Sequence, residues 1–142
     1  ASAGGHPRDV NAIQAHKSIE LARHALRPGG AMVVLAACGE GLGSSQFLPW
    51  FRFTEESEFR AALLDNYQVN GQTALSLFEK TRRYRILLVS ELPPEQVAAM
   101  GMVPFRDPQR ALTEALAGLD GNWRGLVIPA GALTLCRPGA SG

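Results

Sequence analysis

Only two cysteines and three histidines occur in this 142-residue chain. Cys38 and Cys136 fall into no C-x-x-C or Cys/His spacing, and a fold stapled by disulfides would carry more of them. Two isolated thiols suit a reducing, cytoplasmic compartment. His6, His16 and His24 are too scattered for a metal-ligand set, and His16 and His24 fall on the polar side of a helical pattern, where solvation is expected. Charge of one sign is missing too: 14 basic against 13 acidic residues leave a formal charge of +1 and a pI near 8.1. That balance gives no reason to expect nucleic acid or an anionic membrane as a partner. No apolar run reaches the roughly 18 residues of a membrane span, and the N-terminus lacks the layout of a signal peptide. A soluble protein is expected. No carboxylate pair and no Ser/His/Asp set stands out, so the chain shows no general acid–base machinery of its own.

What is present is a 46% hydrophobic composition, enough for the core of one domain. Asp9 or Asn11 can cap a helix running to about residue 26, stopped by Pro28-Gly29-Gly30. "AMVVLAA" (31–37) reads as a strand buried on both faces. A helical pattern over 44–65 breaks near Phe53-Thr54, and a further helix fits from Gly71 or Gln72 to Arg83. "RILLVS" (85–90) is a second buried strand. Pro93-Pro94 opens a short helix to Met100, "MVPF" (102–105) is a short strand, Asp107 caps a helix over 108–118, and "GLVIP" (125–129) completes the set as a last strand. "CRPGASG" reads as a frayed tail. Strand and helix alternate throughout, which predicts a three-layer, Rossmann-like α/β domain: a mostly parallel sheet with helices on both faces. The whole chain, 1–142, reads as a single α/β domain. The absent initiator Met and an opening on small residues at a glycine turn suggest a piece of a longer protein.

In such sheets, ligands bind outside the carboxyl ends of the strands. Two glycine-rich loops qualify, "SAGGHPRD" before the first helix and "ACGEGLGSS" after the first complete strand. Both allow positive φ and lead toward helix N-termini that favour anions, although glycines also make plain turns. Neither has the G-x-G-x-x-G or P-loop spacing. The first helix carries a sharper signal. Val10, Leu21, Ala25, Ala22, Ala15, Leu26, Ile19 and Ala12 fill one broad arc at 100° per residue. Gln14 falls inside that arc and Lys17 at its edge; Asn11 and Ser18 also intrude. A buried Gln without partners costs on the order of 1–3 kcal/mol, and a Lys in the first half of a helix gains nothing from the dipole. Either this part of the arc is solvated, or Gln14 and Lys17 face a cleft and hold a small anion.

The remaining candidates have plainer readings. Cys38 directly follows a strand and fits a small buried residue better than a nucleophile, since no base is implied beside it. "EKTRRYR" (79–85) fits a solvated helix end. Phe47, Trp50, Phe51 and Phe53 fit a core or an interface patch.

The stretch "SAGGHPRDVNAIQAHKSIELARHALRPGGAMVVLAACGEGLGSSQF" (2–47) resembles the opening of the C-terminal domain of the nickel-dependent lactate racemase family, with its S-A-G-G-x-P-x-D-x-N-x-x-Q-x-x-K pattern. "LLVSELPPEQVAAMGMVPF" resembles the family's next strand and helix more loosely. The resemblance implies a two-domain enzyme that racemises or epimerises a 2-hydroxy acid by reversible hydride transfer. It further implies a nickel-pincer nucleotide tethered and ligated by an N-terminal domain of the same protein, so this chain alone should be inactive and should hold no catalytic residue. It places Gln14 and Lys17 at the substrate, with Gly4, Gly5 and Thr73 near it. Gln72-Thr73 stands where an aromatic or His is expected of lactate-acting members, which leaves the acid open. A stand-alone nucleotide or small-anion binding module is the alternative; in a third reading the glycine loops are only turns.

Overall fold

The computed structural model describes residues 1–117, 119, 121 and 123–137. Helix α1 (Ala12–Ala22) begins at Asn11, whose Oδ1 accepts the Gln14 N–H at 3.0 Å, and ends in a 3₁₀ turn over Arg23–Ala25. Asn11 is thus the cap of the two candidates. Strand β1 (Ala31–Leu35) follows, two residues shorter than "AMVVLAA" suggests, because Cys38 turns the chain away at φ 54°. A 3₁₀ turn, Leu48–Arg52, and helix α2 (Glu56–Asp65) fill the next stretch with the break expected between them. Helix α3 (Gly71–Arg83), strand β2 (Arg85–Val89), helix α4 (Pro94–Ala99), strand β3 (Val103–Phe105) and helix α5 (Pro108–Leu116) complete the order. Asp107 caps α5 as expected, its Oδ1 accepting the N–H groups of Gln109 and Arg110. The expected last residue of that helix, Gly118, and the end of the tail, 138–142, lie outside the described residues.

The three strands are parallel in the order β1-β2-β3. Helices cover both faces, as the alternating strand–helix pattern requires. Met32, Val34, Ile86 and Leu88 point into the larger core with α1, α2 and α3, which also takes Phe47, Phe59 and Phe78. Val33, Leu87 and Val103 face the other way, onto Ala111 and Ala115 of α5. The aromatic group is core, as its residue types suggest: Trp50 stacks on Phe59 at 5.2 Å, and Phe59 meets the edge of Phe78 at 5.2 Å. Gly71 lets α3 start against this cluster, since a Cβ there would lie 2.5 Å from Leu63 Cδ1 and 3.1 Å from Trp50.

Three local expectations are corrected. "GLVIP" (125–129) is not a strand. The edge of β1 is already taken by residues 1–3, where Ser2 bridges Leu35 in parallel, and the segment makes one rung only, Ser2 N–H to Ile128 C=O at 2.9 Å. Pro129, with no N–H to give, then closes it. His16 is buried, not solvated. The run 79–85 is not wholly solvated either: Lys80 is 6% exposed, Tyr84 is buried, and the Arg82 guanidinium lies over the Phe78 ring at 3.3 Å. Among the described residues, no helix is long and apolar enough to cross a membrane.

Candidate functional site

The two glycine loops come together at the carboxyl end of β1, joined mostly by main chain. Cys38 N–H donates to Asp9 C=O (2.7 Å), Glu40 N–H to Val10 C=O (2.8 Å) and Ala12 N–H to Gly41 C=O (3.0 Å). Asp9 adds a side-chain tie, Oδ2 accepting the Ala37 N–H at 3.3 Å. Gly43, at φ 89°, is held against the cap: a Cβ there would lie 2.6 Å from Asn11 Cγ. These bonds satisfy main-chain groups at the start of α1 and fix its N-terminus relative to the sheet.

Two clefts flank Asn11. One, of about 470 Å³, lies between the first half of α1 and the 3₁₀ turn Gly131–Leu133. Gln14 and Lys17 line it with Val10 and Asn11, Pro7 and Arg8 come from the first loop, and Ala132 and Leu133 form the opposite side. The other, of about 520 Å³, is bounded by Asn11, the second loop from Glu40 to Ser45, and Gln96.

The broad apolar arc of α1 therefore divides. Ala12, Ala15, Ile19 and Ala22 are buried in the core. Val10, Gln14 and Leu21 are only half-buried and Lys17 is exposed. Lys17 Nζ donates to Gln14 Oε1 at 2.7 Å, so the two polar intruders meet one another in one cleft. Lys17 is exposed, and with Gln14 it lines a cleft.

The other candidates are less close. Gly4 (φ 96°) and Gly5 (φ 72°) make the turn that carries Pro7 and Arg8 to the cleft and do not line it themselves. A Cβ on Gly4 would touch Arg8 Cδ at 3.6 Å, whereas Gly5 faces open space. Thr73 is half-buried in the first turn of α3 and lines neither cleft. Cys38 is buried, and its thiol is pushed up to about 12 by burial first and by Asp9 and Glu91 after it, which fits a packing residue. Among the described residues, no three His, Cys, Asp or Glu side chains converge to hold a metal ion.

Arg8 and the Ala132-Leu133 wall were not among the expected site residues. Arg8 could have been found: a cation just ahead of a helix start stands at the wrong end of the dipole, as Lys17 does. The wall had no signal, since an irregular segment brings it in.

A second polar group of α1 lies on the side facing α3. Glu20 accepts from Arg23 Nε (2.9 Å) and Ser76 Oγ (3.0 Å) and pairs with Lys80, whose Nζ also donates to Ser76 C=O at 2.8 Å. Burial pushes the Glu20 carboxyl up, but Lys80, Arg23 and Ser76 outweigh it and bring it to about 2. His16 is lowered to about 4, by burial first and Lys80 second, against the pull of Glu20. Its Nε2 is buried without a hydrogen-bond partner, 4.0 Å from Glu20 Oε2.

The lactate racemase C-terminal domain family matches residues 1–135. The lactate racemase of Thermoanaerobacterium thermosaccharolyticum is 25% identical over 142 residues, covering 96% of this chain and 33% of that protein. The solved structure of the lactate racemase apoprotein from the same organism superposes with a TM-score of 0.86 at 25% identity, over 96% of this chain and 34% of that one. The chain spans about a third of the length of the curated relative it matches. It belongs to the lactate racemase C-terminal domain family.

Proposed function

We propose that this family member works as the C-terminal domain of a larger 2-hydroxyacid racemase or epimerase, with the cleft at α1 as one wall of an interdomain active site. One observation carries the reading. Gln14 and Lys17, the two polar positions of the family-like motif, share a cleft at the first half of α1, bonded to each other and to no carboxylate among the described residues.

In this reading the Lys17 ammonium holds the substrate carboxylate. The Gln14 amide, both donor and acceptor, then turns from Lys17 to the substrate and sets its orientation. Gly4 and Gly5 shape the loop beside it; Thr73 lines neither cleft and enters this reading only through the family resemblance. The N-terminal domain of the same protein is the partner that closes the site. It would also hold the nickel-pincer nucleotide, whose chemistry is reversible hydride transfer at C2 of the acid. Among the described residues no three His, Cys, Asp or Glu side chains form a ligand set, and this reading gives ligation of the metal to that other domain. The part proposed for this chain is to bind and orient, and the chain by itself is expected to be inactive. The two free thiols of Cys38 and Cys136 suit a cytoplasmic enzyme.

The test is nickel content together with chiral analysis of several 2-hydroxy acids incubated with the full-length protein. Stoichiometric nickel and interconversion of the two hands of at least one acid are expected. Nickel-loaded protein that binds small anions but inverts none of these acids would instead favour an anion-binding module.

A further inference from the structure

The cleft at α1 carries more positive charge than one carboxylate requires. Arg8 and Lys17 line it and, among the described residues, no acidic side chain does. Neither cation has a carboxylate within 4.0 Å among the described residues. Among the described residues, Lys17 donates only to the neutral Gln14 amide, and Arg8 is engaged only through its main-chain N–H, by Gly5 C=O at 2.8 Å. Asp9, the adjacent carboxylate, points to the Ala37 N–H instead. Among the described residues only four other cations, Arg23, Arg60, Lys80 and Arg85, find a carboxylate; what sets Arg8 and Lys17 apart is that both line one cleft.

α1 starts at this cleft with no acidic residue in its first turn, but the N–H groups of Ala12, Ile13 and Gln14 are already taken by Gly41 C=O, Leu42 C=O and Asn11 Oδ1, so a ligand's charge falls to the side chains. A monocarboxylate balances only one of the two positive charges, which leaves a net charge for a second acidic group to meet. An acid with a carboxylate at each end would meet both, and a guanidinium suits the second one because its fork can grip both oxygens.

We propose that the site selects 2-hydroxy acids bearing a second carboxylate, with Arg8 as the specificity-determining residue and Lys17 with Gln14 at the opposite end of the ligand. This rests on the reading of the cleft as a 2-hydroxy acid site. The experiment compares malate and lactate on the full-length protein by two readouts: kcat/KM of racemisation, and calorimetric binding, which does not depend on cofactor loading. Malate should be favoured at least tenfold in both. Arg8→Gln should lower the malate-to-lactate ratio at least tenfold, and Arg8→Lys should keep most of it. A preference for lactate, or a ratio unmoved by Arg8→Gln, overturns the second-carboxylate site while the hydroxy-acid reading stands. Failure to bind or turn over either acid overturns both. If Arg8→Gln does not fold, the wild-type preference and Arg8→Lys decide the matter: a lactate preference, or an Arg8→Lys ratio fallen to parity, overturns it.

Discussion

On the side of α1 that faces α3, Glu20 gathers Lys80, Arg23 and Ser76, and the Lys80 side chain is closed off from solvent. On the side that faces the cleft, Arg8 and Lys17 have no carboxylate among the described residues, and the amide of Gln14 is the only group that Lys17 reaches. One helix thus carries a closed set of charges and an open one. The closed set is explained by folding, because ions taken out of water must be paired. Nothing among the described residues accounts for the open set, and such groups in a cleft are where a ligand is to be sought.

Breaking the closed set should have the largest effect. Glu20→Ala strands the Lys80 ammonium in the core and should cost about 3 kcal/mol, the lower end for a buried pair, because Glu20 keeps a third of its exposure. Urea unfolding would read this as a lower midpoint. Glu20→Gln combined with Lys80→Met should recover most of the loss, since charge burial and charge pairing vanish together. A midpoint left in place by Glu20→Ala would show that the pair is not closed.

Acid probes the same side by another group. His16 is held at about 4 against an ordinary 6.5, so the unfolded chain binds the extra proton in that interval. Its contribution is complete above 6.5 and is lost as the pH falls toward 4, by at most about 3 kcal/mol. Glu20, at about 2 against 4.5, begins to lose its contribution only below 4.5. Unfolding free energy measured from pH 7 to 4.5 should therefore slope downward in the native protein and run flatter in His16→Phe. Parallel curves would show that His16 does not carry the acid response.

The joint between the loops is the next place to press. Gly43→Ala puts a Cβ into Asn11 at a positive φ and should cost roughly 2 kcal/mol. It should also disturb Gln14, whose N–H is capped by Asn11, so substrate affinity should fall with stability. Lost stability with unchanged affinity would show that the cap does not reach the site.

How much of the molecule is legible in its sequence depends on whether the deciding partner is near along the chain. The parallel sheet, the cap at Asn11, the Asp107 cap and the buried Cys38 follow from local pattern. Gln14 and Lys17 are visible as polar residues on an apolar arc, and the structure adds that the arc has two halves with different neighbours. His16 misleads because the carboxylate and ammonium that let α3 pack against it, Glu20 and Lys80, are paired across 60 residues of chain. "GLVIP" misleads because residues 1–3 claim the strand edge that its composition suits. Arg8 carries a weak local signal, a cation at the wrong end of the helix dipole; its place on the same wall as Lys17 is what the structure adds.

Lys17→Ala tests the central claim most directly, because it removes charge from the open set and leaves the closed one alone. In the full-length protein, kcat/KM for a 2-hydroxy acid should fall at least tenfold, while the unfolding midpoint moves by no more than the equivalent of about 0.5 kcal/mol. Unchanged kinetics at an unchanged midpoint would contradict the claim and return Lys17 to an ordinary solvated surface.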